Sequence, residues 1–133
     1  MIDLLAEKRA RMACRAYLKL FDAGSGGANL TKDDMIGPRD AHDTDWAIAV
    51  ELLGHFVDDT IVDEAGHRDG VPHYVLTRPM RERMEGAPEG RGSVAERLRA
   101  DLADYDSGRD LPEDAFHRTE ALIRTGDERR EPL

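Results

Sequence analysis

Apolar residues recur every three or four positions from Asp3 to Phe21, at Leu5, Met12, Ala13, Ala16, Tyr17 and Leu20, and predict a first helix with one buried face. Lys8, Arg11, Arg15 and Lys19 repeat at the same spacing on another face. Such a stripe usually contacts only water; its functional alternative is a ridge that touches phosphates. The three glycines and one serine between Ala23 and Asn29 predict a loop. Thr31, with Asp34 three residues on, predicts the capped start of a short second helix that Gly37 and Pro38 stop. A third helix, capped by Asp43 or Thr44, carries Trp46, Ala49, Val50, Leu53, Phe56 and Val57 on its apolar face.

The period then shifts from helix to strand. Thr60, Ile61 and Val62 are a β-branched run, the segment from Gly66 to Gly70 is a polar turn, and Val71 to Thr77 alternates, so the stretch predicts a β-hairpin. Helical composition returns from Arg78 to Glu85, before a glycine- and proline-rich linker at 87–92. Ser93 with Glu96 and Asp110 with Glu113 predict capping boxes for two final amphipathic helices, the second ended by Gly126. The expected fold class is therefore mainly α with one β-hairpin (α+β).

The order helix, helix, helix, hairpin, helix over residues 3–85 resembles a winged helix-turn-helix of the bacterial and archaeal DNA-binding regulators. Val50-Glu51-Leu52-Leu53-Gly54 running into Asp59-Thr60-Ile61-Val62 resembles a recognition helix entering the first wing strand. His73-Tyr74-Val75-Leu76-Thr77 is similar to the second wing strand, and Asn29-Leu30-Thr31 to the opening of the second helix. The resemblance implies a winged-helix domain at 1–86, the linker at 87–92, a helical extension at 93–126 and a loose tail at 127–133. It also implies double-stranded DNA as the partner. The candidate contacts are Lys8, Arg11, Arg15 and Lys19 on the first helix, Arg39, His42 and Thr44 ahead of the third, and His67, Arg68, Arg78 and Arg81 around the wing. The sequence departs from the family in two places. The segment from Gly37 to His42 is longer than the usual turn, and the third helix lacks the arginines, lysines and amides that read base edges.

Charge opens a rival reading. Residues 1–40 hold seven basic and six acidic side chains, a net +1, while residues 41–70 hold one basic and eight acidic, a net −7. An acidic recognition helix repels a duplex, because neutralising phosphates supplies most non-specific affinity. The alternative is a winged-helix module for protein contacts, either an assembly factor or a virus-encoded structural component. In both readings Val94, Leu98, Leu102 and Tyr105 with Phe116, Leu122 and Ile123 present apolar faces that predict self-association as a homodimer.

Over its 133 residues the chain is 40% hydrophobic, 35% charged and 5% aromatic, so its core must be mostly aliphatic, and it carries a net charge of −9. Its acidic, Asp-rich and lysine-poor surface is of the kind salt-adapted proteins show, which predicts greater stability in molar salt. No apolar run nears the roughly 20 residues of a membrane span, and no signal-like stretch opens the sequence, so a cytoplasmic protein without membrane contact is expected. The lone Cys14 predicts a small buried thiol. His42, Asp43, Asp45, His55, Asp58 and Asp59 crowd the third helix, and His55 and Asp59 lie one turn apart, yet further spaced ligands are missing. With no nucleophile elbow, phosphate loop or paired cysteines, no catalytic residue, metal or cofactor is expected.

Overall fold

The computed structural model describes residues 4–40, 45–53, 57–58, 73–86 and 92–126. Among them the chain is mainly helical with a small antiparallel sheet, the α+β class expected. Helix α1 spans Leu4–Ala23, strand β1 Ala28–Asn29, helix α2 Lys32–Met35 and helix α3 Trp46–Leu53. Strands β2 (Val57–Asp58) and β3 (His73–Leu76) precede helices α4 (Arg78–Glu85), α5 (Val94–Asp106) and α6 (Ala115–Thr125). Short 3-10 turns occupy Gly24–Gly26 and Pro38–Asp40.

Strand β3 lies between the other two, pairing Ala28 with Tyr74 on one side and Val57 with Leu76 on the other. Two positions correct the sequence reading. Strand β1 falls where a loop was expected, and its entry depends on Gly27, whose φ of +73° suits glycine and whose Cα sits so near the Tyr74 carbonyl oxygen that a Cβ would collide with it. Val57, expected on the third helix, is in β2 instead. The expected strand run Thr60 to Val62 and the turn at 66–70 lie outside the described residues.

One core runs through the described elements. Met12, Cys14, Ala16, Tyr17 and Leu20 of α1, Leu30, Met35 of α2, Ala49 and Leu53 of α3, Tyr74 and Leu76 of β3, and Met80 and Met84 of α4 are all buried in it. So are Val94, Leu98 and Leu102 of α5 and Phe116 and Ile123 of α6. This overturns the basis for the dimer expected from sequence. Five of its seven candidate residues, Val94, Leu98, Leu102, Phe116 and Ile123, are covered by the chain itself, and Tyr105 and Leu122 pack partly buried against the same core.

The helix ends show how α6 is held. The capping box at Ser93 and Glu96 forms as expected, Glu96 N–H donating to Ser93 Oγ at 3.0 Å and Ser93 N–H to Glu96 Oε1 at 2.9 Å. The box expected from Asp110 and Glu113 does not cap α6, whose N-cap is Asp114, without a side-chain cap bond. Glu7 of α1 takes that role across the fold. Its carboxylate accepts from the N–H groups of Phe116 and His117, both at 2.9 Å, satisfying two donors that a helix start leaves open. Gly126, at φ +83°, closes the helix with its N–H on the Leu122 carbonyl oxygen.

Cys14 is fully buried, and its Sγ lies 3.7 Å from the Phe116 carbonyl oxygen. Burial pushes its thiol well above the ordinary cysteine range, and the carboxylates of Glu120, Glu7 and Asp101 add to the effect. The native protein should therefore react with a thiol reagent only through unfolding, at a rate set by the opening of the core. A thiol that reacted at the speed of free cysteine in native buffer would contradict this packing.

Candidate functional site

The basic stripe of α1 is largely neutralised within the chain. Arg11 is buried, and its guanidinium grips Asp40 through two bonds of 2.9 Å, Nε to Oδ2 and Nη2 to Oδ1. Arg15 holds Asp106 of α5 by two bonds of 3.0 and 2.7 Å, and Lys19 pairs with Asp34 at 2.8 Å. Of the four, Lys8 has no ion-pair partner among the described residues. Burial and the two bonds to Asp40 leave little of the Arg11 guanidinium for a ligand in solvent.

Arg39 is exposed and stacks on the Tyr105 ring, 4.2 Å from its centroid, while donating to the Tyr105 carbonyl oxygen at 2.8 Å. Arg11 lies 4.1 Å from the centroid of the same ring. Lys8, Arg11 and Arg39 are thus brought to one shallow cleft, which also admits the acids Glu7, Asp110 and Glu113. Arg78 is exposed and 3.3 Å from Glu82, and Arg81 donates to the Gly24 carbonyl oxygen at 2.9 Å. The candidates His42, Thr44, His67 and Arg68 lie outside the described residues.

Asp40 sits at the centre of these contacts. Burial opposes its charge most strongly, but the hydrogen bond and charge of Arg11, with Arg15 and the Tyr105 hydroxyl, together outweigh it and hold the carboxyl below the usual range. Glu7 shifts the other way. Burial raises it more than its bonds from Phe116 and His117 and the charges of Arg11 and His117 lower it.

Helix α3 presents a largely apolar exposed surface. Ala49 and Leu53 are buried and Trp46 and Val50 lean on the core, whereas Ala47, Ile48, Glu51 and Leu52 are exposed. Ile48 is 38% exposed and Leu52 43%, exposed large apolar side chains like Leu4 (72%) and Leu5 (44%) at the start of α1. The one charge on that outward face is Glu51. Ile48 and Leu52 escaped the sequence reading, which followed only the inward face. The signal was there, since Trp46 to Leu53 contains a single polar residue and so leaves apolar side chains on every side of the helix.

Comparison with known proteins returns no match: no protein-family model, no curated protein and no solved structure matches the chain. Among the described residues no helix is long and apolar enough to cross a membrane.

Proposed function

We propose that this chain is a winged-helix-type module for protein contacts, whose α3 face docks an apolar segment of a basic partner protein. The order α1, β1, α2, α3, β2, β3, with β1 paired to β3, supports the winged-helix reading. The observation that carries the docking reading is the exposed pair Ile48 and Leu52 beside Glu51, on a helix with no cation. Base edges are read by arginine, lysine and amides, whereas this surface offers hydrocarbon and a carboxylate. A chain of net charge −9 favours a partner of opposite sign through electrostatic steering. The regulator reading loses ground because Arg11, Arg15 and Lys19 are engaged by Asp40, Asp106 and Asp34.

The test is a photo-crosslinking amino acid at position 48 of the full chain, produced in the organism that encodes it, with position 85 on α4 as control. The expected product is one protein with a basic surface, captured from position 48 and not from 85. The purified partner should bind the wild type, and Leu52→Glu should weaken that binding at least about tenfold. Crosslinking only to a second copy of this chain, or a salt-dependent shift of duplex DNA lost in Lys8→Ala and Arg39→Ala, would overturn the proposal in favour of a dimer or a regulator.

A further inference from the structure

Helices α1, α3 and α6 enclose a groove of about 370 Å³, at the small end of the ~300–1,000 Å³ typical of ligand pockets. We infer that this groove binds a small organic monocarboxylate with an apolar body, its carboxylate held by Arg9. The groove shares Leu52 with the docking face of α3, but its ligand chemistry rests on Arg9 and the alanines of α1 and not on what that face docks.

The floor is built from Ala6, Ala10 and Ala13, with Leu52 and Leu53 of α3 forming an apolar wall. Three alanines in succession along α1 leave open the volume that larger side chains would fill. One end is closed by a self-satisfied network. The Tyr17 hydroxyl donates to Glu120 Oε2 at 2.8 Å, and Arg124 Nε donates to the same oxygen at 2.9 Å. Burial, then the Glu120 charge and hydrogen bond, push the Tyr17 phenol up, so it stays a donor, and Arg124 balances the charge of Glu120.

Arg9 is different. Among the described residues it is the one arginine whose side chain has neither a hydrogen bond nor an ion pair, and its Nε, like those of Arg15 and Arg118, is buried without an acceptor. A buried donor of this kind calls for an acceptor, and a charged one for an anion. The groove accordingly offers one unanswered positive charge at the edge of a hydrocarbon surface. One cation suits a single carboxylate; a phosphate dianion would meet Glu120 with its second charge uncompensated. The alanine and leucine walls require that the rest of the ligand be apolar.

Phenylacetate, hexanoate and cyclohexanecarboxylate serve as probes, with phenylacetamide and hexanamide as neutral counterparts, and acetate and inorganic phosphate as anions without an apolar body. Binding is read from the fluorescence of Trp46, the chain's single tryptophan, on α3, and from the amide NMR signals of Ala10, Leu53 and His117. At least one apolar carboxylate should saturate below about 5 mM, a range within reach of ligands this small. Its amide, acetate and phosphate should each bind at least about tenfold more weakly. Arg9→Gln should cost the carboxylate about tenfold or more and change the amide's affinity by less than about twofold. Ala6→Leu, at a half-buried position on the groove floor, should remove carboxylate binding while the melting temperature stays near wild type. The inference fails if no apolar carboxylate binds in that range, if phosphate binds as well as they do, or if Arg9→Gln leaves their affinity unchanged.

Discussion

Phe116→Ala should lower stability by about 3–5 kcal/mol and reduce the melting temperature of the whole molecule by roughly 10–20 °C. The ring is 1% exposed, makes an edge-to-face contact with Tyr105 at 5.8 Å between centroids, and lies 5.7 Å from the Arg11 guanidinium carbon. Its removal leaves a cavity that α1 and α5 cannot both collapse into. Native domains hold only about 5–15 kcal/mol in all, so the loss is at least about a fifth of that. The measurement is a urea or thermal melt followed by far-ultraviolet circular dichroism and by Trp46 fluorescence together. If α5 and α6 were a separate appendage, the helical signal would fall early while the Trp46 transition stayed in place. Coincident transitions, shifted together in the variant, are the outcome the shared core demands.

Asp40→Asn should destabilise the fold by about 3–5 kcal/mol, because it leaves the Arg11 charge buried with half its acceptor gone. Arg11 and Asp40 expose only 8% and 4% of their side chains, so solvent screens the pair little. The double variant Arg11→Met with Asp40→Leu should return to within about 2 kcal/mol of wild type, since apolar pairs of similar volume replace buried ion pairs at little cost. A urea unfolding cycle of wild type, Arg11→Met, Asp40→Leu and the double variant measures the coupling. A double variant as unstable as the sum of its parents would mean that the pair is irreplaceable. The pH dependence carries its own sign. The Asp40 pKa is depressed in the folded state, so its contribution is complete above the ordinary aspartate range and is lost as pH falls through the folded value. The Glu7 pKa is raised, so its contribution is greatest in acid and declines as pH rises past the ordinary glutamate range. Asp40→Asn should therefore flatten the acid limb of the stability curve, and Glu7→Gln should steepen it.

Helices with strong amphipathic periodicity were legible from sequence to within a few residues. The first helix was expected from Asp3 to Phe21 and spans Leu4–Ala23, and the Ser93 box marks the start of α5. Strand β1 was not legible, because two residues carry no period and their strand character comes from Tyr74 and His73 across the sheet. The partners of the basic stripe were equally hidden. Spacing can put Arg11 and Arg15 on one face of α1, but Asp40 and Asp106 reach them only through tertiary packing, from 29 and 91 residues away. The faces read as dimer surfaces were correctly identified as apolar and incorrectly left uncovered, since periodicity tells that a face must be buried and not by what. The exposed face of α3 shows the reverse case. Its all-round apolar composition was readable, and following one helical period concealed it.

The cap that Glu7 places on α6 joins groups 109 positions apart in the chain. At a synthesis rate of about 5–20 residues per second, α1 waits roughly 5–20 s in the nascent chain before the helix that completes its core is made. During that interval the apolar side of α1 is a target for chaperones, and contacts of such long sequence separation slow the final closure. The native core thus forms only after α6 has been translated, and the protein's yield in cells should depend on what shields its first helix until then.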